Sequence, residues 1–419
     1  MNSVTSEERY PTSAETPSLI DRMARELVLK MMAGIRHGRL LVSDSAGDHS
    51  FGDQRKEAVR LVVHHPGFYR KVLFGGSIGA GEAYIEGLWA SDDLTGLARI
   101  MVRNMALLDR MERGFAWLLR PVQLGQHLLR SNSRGKARRN ILAHYDLGNE
   151  MYRSFLDPTM MYSSAIYPSR ESRLEEAAVH KLEVICRKLD LQPGDRVIEI
   201  GSGWGGFAIH AAAHYGCHVT TTTISPAQYQ EAEKRVAAAG LKERISLLQS
   251  DYRDLTGRYD KLVSIEMIEA VGHRYLPAFF QKCGELLEEH GTMLLQAITI
   301  RDQKYQQYTR SVDFIQTHIF PGGCLPSNQR MVELLAGKTD LVVRHIEDFG
   351  YDYARTLRHW RERFLAAMPS LKRQGYDETF RRLWEFYLCY CEGGFRERAI
   401  SVVHLLATRP GHRGQGWRQ

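Results

Sequence analysis

The sequence predicts an α/β protein in which a seven-stranded sheet flanked by helices is joined to a smaller mixed α/β amino-terminal domain. Apolar strand-like runs alternate with helical patterns between residues 172 and 299, which is typical of a parallel sheet with helices on both faces. One of these strands runs directly into a glycine-dense turn and a helix, at 197–207. A length of 419 residues also favours more than one domain.

The amino-terminal part is expected to form its own domain at 17–130, after a disordered start at 1–16. Its predicted elements are a helix at 19–32, a strand near 59–63, a loop-rich stretch at 74–89 and a helix near 94–108. The segment 131–142 is polar and basic, so we interpret it as the linker between the two domains.

The main sheet is expected within 143–410, and the glycine-rich tail 411–419 is expected to be disordered. The predicted helices lie at 172–190, 205–214, 226–239 and 275–288. The predicted strands lie at 196–200, 217–223, 245–249, 261–265, 292–299, 341–346 and 400–407. The last two strands are the ones that would complete a seven-stranded sheet.

Composition narrows the class of protein. The six cysteines include no C-x-x-C pair, so neither a disulfide framework nor a metal site is predicted. No run of about 18 apolar residues is present, and the first residues are polar rather than signal-like. We therefore expect a cytoplasmic protein.

The formal net charge is +7, and many cations fall in one segment. Its basic residues are Arg103, Arg110, Arg113, Arg120, Arg130, Arg134, Lys136, Arg138 and Arg139. Such a segment can meet nucleic acid or anionic lipid, and an ordinary solvated surface is the alternative explanation.

The glycine turn predicts a cofactor site. Gly201, Gly203 and Gly205 allow the backbone to approach a ligand closely, and the next helix presents free N–H groups. The spacing is G-x-G-x-G, with Glu199 before the first glycine and Trp204 inside the turn, rather than the G-x-G-x-x-G of dinucleotide sites. This pattern resembles the first motif of class I S-adenosylmethionine-dependent methyltransferases, whose fold is Rossmann-like. A tight connection without a ligand is the alternative.

Polar residues follow the next strands of the predicted sheet. Thr223 ends the second strand, and Ser225 and Gln228 open a helix, which a capping box alone would explain. After the third strand, the Asp251 carboxylate could accept a hydrogen bond from adenine and Tyr252 could pack on the ring, although an ordinary polar loop is the alternative.

Two further polar residues are predicted to lie close to a transferred group. Glu269 follows the fourth strand, and ligands of open α/β sheets bind at the carboxyl ends of strands. Gln296 interrupts an apolar run in the fifth strand, and a polar group in such a position needs a partner or has a function.

Several sequence blocks together resemble the cyclopropane-fatty-acyl-phospholipid synthase family over nearly the whole chain. These blocks are Gly79–Trp89, Tyr162–Ala165, the glycine turn, Thr223–Ser225, Asp251–Leu255, Glu266–Gly272, Phe320–Pro326 and Phe349–Tyr353. The resemblance implies transfer of the methyl group of S-adenosylmethionine to the double bond of an acyl chain in a membrane phospholipid. A bound bicarbonate would then remove a proton as the cyclopropane ring closes.

The resemblance also assigns residues. Glu269 and Tyr353 match the residues that orient bicarbonate, and Ile298 matches the one whose backbone N–H holds it. Cys391 matches a cysteine near the site, where a small buried apolar side chain is the alternative explanation. Tyr162, Ser163 and Arg253 are added to the cofactor contacts.

Two residues depart from the commonest family pattern. Ser164 stands where many members have cysteine, and Gln296 where they have histidine. Both can still donate a hydrogen bond, so bicarbonate binding is expected to survive. Relatives on the same scaffold leave a methylene or methyl branch, or prepare a furan fatty acid, and these products remain open.

The resemblance predicts an anionic bilayer as the partner. The enzyme would be peripheral at the inner membrane surface, with the 17–130 domain meeting lipid and no nucleic acid bound, and a homodimer is a further expectation. A methyltransferase of another lipid or small molecule is one alternative. A non-catalytic lipid- or nucleic-acid-binding protein is the other, and it would not need Glu269, Tyr353 and the glycine turn together.

Overall fold

The computed structural model describes residues 17–107 and 148–414 of the chain. The start at 1–16, the linker at 131–142 and residues 415–419 lie outside the described residues, as do all the cations of the basic segment except Arg103. No helix of the described ranges combines the length and the apolar character that crossing a membrane requires.

The described residues form two compact units. The first contains 17–107 and 375–397, and the second contains 148–374 and 398–414. The predicted catalytic domain at 143–410 is therefore corrected, because a segment of 23 residues within it, Gly375–Glu397, belongs to the amino-terminal unit.

The first unit is built on a four-stranded mixed sheet of order β2-β1-β3-β4. Its elements are α1 (Leu19–Met32), β1 (Arg39–Asp44), β2 (Gly47–Gly52), β3 (Ala58–Val63), α2 (Gly67–Ile85), β4 (Trp89–Ser91), α3 (Leu94–Arg103) and a late helix at Glu378–Arg396. The hairpin β1–β2 was not predicted. The loop predicted at 74–89 is wrong, because α2 continues to Ile85 and bends at Gly76, whose φ is +54°.

The second unit confirms the predicted seven-stranded sheet, whose order is β10-β11-β9-β8-β5-β6-β7. Its strands are β5 (Arg196–Ile200), β6 (His218–Thr222), β7 (Ile245–Leu248), β8 (Tyr259–Ile265), β9 (Leu287–Ile300), β10 (Val342–Asp348) and β11 (Ile400–Thr408). Strands β5 to β9 pair in parallel, whereas β11 runs antiparallel to both β9 and β10.

The helices of this unit cover both faces of the sheet. In chain order they are α4 (Asn149–Arg153), α5 (Leu174–Lys188), α6 (Gly206–Tyr215), α7 (Pro226–Ala238), α8 (Leu276–Glu285), α9 (Asp302–Tyr308), α10 (Phe314–His318), α11 (Asn328–Lys338) and α12 (Gly350–Arg373). The helix Glu378–Arg396 of the first unit is α13. Successive strand residues enter different apolar clusters: Val197 packs with α5 and α6, and Ile198 with α8 and α11. This alternation is what a sheet buried on both faces requires.

Candidate functional site

The glycine turn follows β5 and is fixed against β6. The backbone N–H groups of Gly201 and Ser202 both donate to the carbonyl oxygen of Thr222, at 3.2 and 2.8 Å. Gly201, Gly203 and Gly205 have φ values of +101°, +49° and +84°, which glycine adopts without the steric cost that other residues meet. A Cβ built at Gly203 would have no atom within 4 Å. The turn thus forms an open cradle of the kind a cofactor needs.

Glu199 lies beneath this turn and is almost fully buried, with 1% of its surface exposed. Its Oε2 accepts a hydrogen bond from the Thr221 hydroxyl at 2.6 Å. Burial raises the pKa of the carboxyl group to about 8, against the lowering effects of Thr221 and Lys181. Glu199 is therefore mostly protonated at neutral pH and can donate as well as accept.

The two polar loops after β6 and β7 are internally bonded. The Thr223 hydroxyl donates to Gln228 Oε1 at 2.9 Å, and the Ser225 hydroxyl caps α7 by accepting from the Gln228 backbone at 3.3 Å. Both oxygens of Asp251 accept from Arg253, at 2.8 and 2.6 Å. The capping reading of Ser225 is confirmed, and cofactor contact by these residues stays a prediction.

A cluster of polar side chains lies at the end of β8. Its centre is Glu266, which the sequence analysis did not assign to the site. Its Oε1 accepts from the backbone N–H of Ser164 at 2.9 Å and from the Gln296 amide at 2.7 Å. Its Oε2 accepts from the Tyr353 hydroxyl at 2.7 Å. Three residues predicted for the site are therefore brought together by one carboxyl group.

Backbone geometry aims Glu266 into this cluster. The residue directly follows β8 and has a φ of +50°, a left-handed conformation that costs a non-glycine residue roughly 1 kcal/mol or more. Its N–H donates to the Gln296 carbonyl oxygen at 2.8 Å, which links the end of β8 to β9. Sterically unfavourable backbone held in this way is characteristic of functional sites.

Glu269 lies in the short 3₁₀ helix that follows Glu266, and its carboxyl group has fewer hydrogen-bond partners than that of Glu266. Its Oε1 accepts from the Ile298 backbone N–H, and its Oε2 is inaccessible to solvent and has no hydrogen-bond partner among the described residues. Desolvation and the nearby Glu266 charge raise the pKa of Glu269 to about 8. The group is therefore mostly neutral at pH 7.

These contacts do not fit the bicarbonate ion that the resemblance implies. Of the donors expected for that ion, the Tyr353 hydroxyl and the Gln296 amide donate to Glu266, and the Ile298 N–H donates to Glu269. A protein carboxyl group thus occupies each of these three donors, and the Ser164 hydroxyl donates to the Ala165 carbonyl oxygen.

Gln296 is oriented by a second polar residue that the sequence analysis missed, His404 on β11. The two residues are directly paired in the sheet, and His404 Nε2 lies 3.0 Å from Gln296 Oε1. Because a carbonyl oxygen only accepts, the ring proton is on Nε2 and the Gln296 N–H₂ group faces Glu266. The Lys188 ammonium donates to Nδ1 at 3.0 Å and also pairs with Glu347.

The electrostatic surroundings keep His404 neutral. Burial, together with the charges of Lys188 and Lys181, lowers the pKa of the imidazole well below its usual value. Lys181 is itself buried and donates to the Ser163 hydroxyl at 2.7 Å. Burial lowers the pKa of Lys181 to about 8, against the raising effects of Glu266, Asp157 and Glu199.

Aromatic rings line the same region. Tyr162 packs on Trp360 with ring centroids 5.2 Å apart, and Trp360 meets Tyr353 at 6.1 Å. Tyr162 also approaches Phe320, at 6.4 Å. The faces of such rings attract a positive charge.

The glycine turn and the carboxyl cluster are adjacent. A Cβ at Gly201 would lie 3.1 Å from Met267, the residue between the strand β8 and the Glu269 turn. Cys391 lies on α13, in the other unit, and its place in the site stays a prediction. Within the described residues, no group of three His, Cys, Asp or Glu side chains is arranged to hold a metal ion.

Sequence comparison places this geometry in a known family. Residues 132–405 match the family described as mycolic acid cyclopropane synthetase. A tuberculostearic acid methyltransferase of Mycobacterium tuberculosis is 36% identical over 411 residues, which cover 96% of this chain and 94% of the relative. The cyclopropane-fatty-acyl-phospholipid synthase of Escherichia coli K12 is 37% identical over 350 residues, covering 83% and 87%.

Solved structures agree with the sequence match. A cyclopropane synthase from Mycobacterium tuberculosis superposes with a TM-score of 0.61 at 29% identity, over 65% of this chain and 98% of that one. A mycolic acid cyclopropane synthase complexed with SAH and CTAB gives 0.58 at 30% identity, with the same coverage. The chain therefore belongs to the cyclopropane synthase family and is a class I methyltransferase that uses S-adenosylmethionine.

Proposed function

We propose that this enzyme methylates the carbon–carbon double bond of an unsaturated acyl chain in a membrane phospholipid and closes a cyclopropane ring. The observation that carries the proposal is the aromatic-lined carboxyl cluster beside the glycine turn. An alkene is a weak nucleophile, and its methylation leaves a positive charge on the chain. A site for this reaction needs aromatic faces for the cation and a proton acceptor, and the rings and carboxyl groups of the cluster support these two roles.

The cofactor supplies an electrophilic methyl group when it is bound. The glycine cradle, together with Tyr162, Ser163 and Glu199, would hold it next to the carboxyl cluster. Trp360 and Tyr353 would then face the charge that develops on the acyl chain, where cation–π attraction is worth about 2 kcal/mol in a desolvated site. Loss of a proton from the transferred methyl group allows the ring to close.

A second product is supported by a specific observation. The relative that matches 96% of this chain is a tuberculostearic acid methyltransferase. After a hydride shift from the methyl-bearing carbon to the neighbouring cationic carbon, loss of a methyl proton would instead leave an exocyclic methylene branch, which a separate reductant would convert to a methyl branch. Both products begin with the same methyl transfer, so one experiment separates them.

That experiment uses vesicles of a monounsaturated phospholipid, the enzyme and S-adenosylmethionine with a fully deuterated methyl group. Mass spectrometry should show one added carbon that keeps two of its three deuterium atoms. Catalytic hydrogenation then tests for a remaining double bond. A product that takes up no hydrogen establishes the cyclopropane, and one that takes up a molecule of hydrogen establishes the methylene branch. No added carbon on any phospholipid would refute the proposal.

The membrane is the proposed location of the substrate, with the enzyme peripheral at the inner membrane surface. The net charge of +7 and the basic segment between 103 and 139 support attraction to anionic lipid, with each cation near the surface contributing about 1 kcal/mol. Sedimentation with vesicles should rise with the fraction of phosphatidylglycerol and fall between low and high salt. Equal sedimentation with neutral and anionic vesicles would contradict this location.

A further inference from the structure

We propose that the carboxylate of Glu266 is the built-in proton acceptor of the reaction and replaces a diffusible anion in this enzyme. The inference rests on the proposed function, since it concerns the proton that the methylated acyl chain must lose. The groups that were predicted to bind bicarbonate instead donate to carboxyl groups of the protein, and the inference follows from this difference.

Burial raises the pKa of Glu266, but the hydrogen-bond donors around its carboxyl group favour the ionised form. The Ser164 N–H, the Gln296 amide and the Tyr353 hydroxyl all point to its two oxygens, at 2.9, 2.7 and 2.7 Å. A carboxylate accepts about four hydrogen bonds, whereas a carboxylic acid must use one oxygen as a donor. Within the part of the chain that the structure describes, Glu266 has three donors and no acceptor, which favours the charged form.

The hydrogen bonds that Glu266 accepts leave one lone pair of its carboxylate available for a proton. Oε1 accepts two hydrogen bonds and Oε2 accepts one, from Tyr353. The remaining lone pair is thus on Oε2, beside the Tyr353 ring that packs on Trp360 at 6.1 Å. This is the aromatic side of the cluster, where a cationic acyl chain is expected.

Glu266 and Glu269 form a pair of nearby carboxyl groups, in which Glu269 keeps a proton and Glu266 is ionised. Two nearby carboxyl groups do not both ionise readily, and the one with fewer donors keeps the proton. Among the described residues, Glu269 has one donor from another residue, the Ile298 N–H, and one oxygen without a partner. Glu266, whose charge is supported by three donors, is therefore the carboxyl group of the pair that is available to accept a proton at neutral pH.

The π electrons of the alkene form a bond to the methyl carbon, and the carbon–sulfur bond breaks with its electrons remaining on sulfur. A C–H bond of the cation then breaks, its electrons close the ring or form a new double bond, and Glu266 Oε2 takes the proton. Release of that proton to solvent restores the carboxylate, and no further reactant is required.

The backbone of Glu266 makes a sharp test available. Its φ of +50° is a conformation that glycine adopts readily, so Glu266→Gly is expected to fold. That variant keeps the three donors and removes the carboxylate, which leaves a place for a planar anion. Glu266→Gln keeps the shape and removes the basic group. Glu362→Gln, on the exposed side of α12, is the matched control.

We would measure lipid product in carbon dioxide-free buffer, with and without added bicarbonate, and cofactor binding by calorimetry. Wild type and Glu362→Gln should turn over equally in both buffers. Glu266→Gln should lose about 100-fold or more in kcat while its Kd for S-adenosylmethionine changes less than about threefold. Glu266→Gly should be inactive without bicarbonate and recover about tenfold or more with it.

The outcomes separate the two proposals. Wild-type turnover that requires bicarbonate, or a Glu266→Gln enzyme that keeps more than about a tenth of wild-type kcat, would overturn the assignment of Glu266. So would Glu266→Gly with full activity in the absence of bicarbonate. Lack of lipid product from wild type in both buffers would instead refute the proposed function itself.

Discussion

Two carboxyl groups three positions apart in the chain, those of Glu266 and Glu269, are surrounded by different numbers of donors. Glu266 accepts three hydrogen bonds, and Glu269 accepts one and leaves an oxygen without a partner. Desolvation raises the pKa of both groups, but only Glu269 also has a charged neighbour that opposes its ionisation as a second major cause. Two residues of the same type thus have different chemistry.

Glu269→Gln is expected to keep turnover within about tenfold of wild type at pH 7. The reason is that a pKa of about 8 already makes the native side chain neutral, and the amide reproduces its shape and its acceptor for the Ile298 N–H. Steady-state kinetics of this variant beside Glu266→Gln checks the contrast. Equal losses in the two variants would show that the charge of Glu269 is needed.

Glu199→Gln should flatten the pH dependence of stability. The folded-state pKa of Glu199, about 8, lies above its ordinary value of 4.5, so its contribution is complete below about pH 4.5 and disappears as pH rises through 8. Between pH 5.5 and 8 this amounts to at most about 3 kcal/mol of unfolding free energy. Urea unfolding of both proteins at these two pH values measures it. Parallel pH profiles would mean that Glu199 titrates normally.

Sequence reasoning identified Ser164, Gln296 and Tyr353 but not the residue that joins them. All three align with family site positions, whereas Glu266 is only the first residue of the block Glu266–Gly272 and has no role assigned by the resemblance. Its selection depends on a left-handed backbone and on contacts to residues 30, 87 and 102 positions away. No local pattern reports such contacts.

At the level of elements, the pairing of β9 with β11 determines how Gln296 points. His404 faces Gln296 across the two strands and holds its carbonyl oxygen, so that the amide nitrogen faces Glu266. The strand β11 was predicted from its apolar run, but its antiparallel register was not, because register is fixed by long-range pairing. His404 was therefore not predicted to be a site residue, because the sequence shows it only as one histidine within an apolar strand.

His404→Ala is expected to lower stability by about 1–3 kcal/mol because it leaves the buried Lys188 ammonium and the Gln296 carbonyl oxygen without this partner. The kcat should fall, while KM for S-adenosylmethionine changes little. His404→Gln, whose amide can both donate and accept, should restore part of the kcat. Failure of the glutamine variant to exceed the alanine variant would indicate that His404 only fills space.

The strand–turn–helix element gives a second test through glycine substitutions. Gly203→Ala places a Cβ in the open cradle and should raise the Kd for S-adenosylmethionine about tenfold or more, which is about 1.4 kcal/mol. Gly240→Ala is the matched control, since its φ is also positive, at +69°, and its Cβ also meets nothing within 4 Å. Similar cofactor affinity in both variants would place the cofactor elsewhere.

The alternating elements of the second unit were predictable because apolar strands and amphipathic helices have distinct periods. The 74–89 stretch was not, because its glycines suggest a loop while the chain forms a helix. The bend at Gly76 explains this: a Cβ at Gly79 would lie 2.0 Å from the Lys71 carbonyl oxygen, so the glycines serve a tight turn within α2.

On the scale of the whole molecule, the amino-terminal unit takes a helix from the distant end of the chain. Thr95 on α3 donates to Glu392 on α13 at 3.1 Å, and the Tyr84 hydroxyl donates to Glu385 at 2.8 Å. Contacts across about 300 residues cannot be read from composition. The predicted boundary at 131–142 therefore could not reveal that 375–397 returns to the first unit.

Gly393→Ala tests the packing of α13 in the amino-terminal unit. A Cβ at Gly393 would lie 2.6 Å from that of Ala98, so α3 and α13 must separate at a cost of about 1–3 kcal/mol. Hydrogen exchange should show faster exchange in α3 and α13 and unchanged protection in β5 and β8. Gly337→Ala, in a helix with open space around it, is the control. Loss of protection confined to the seven-stranded sheet would contradict the division into units.

The left-handed backbone at Glu266 affects how the residue at this position can change in evolution. Glutamate and glycine codons differ only in their second base, and at a φ of +50° either residue fits the same turn. One nucleotide change could therefore convert an enzyme with a built-in acid–base group into one that borrows a dissolved anion, without moving the main chain. Lineages facing different supplies of dissolved carbon dioxide would have a single-step route between the two chemistries.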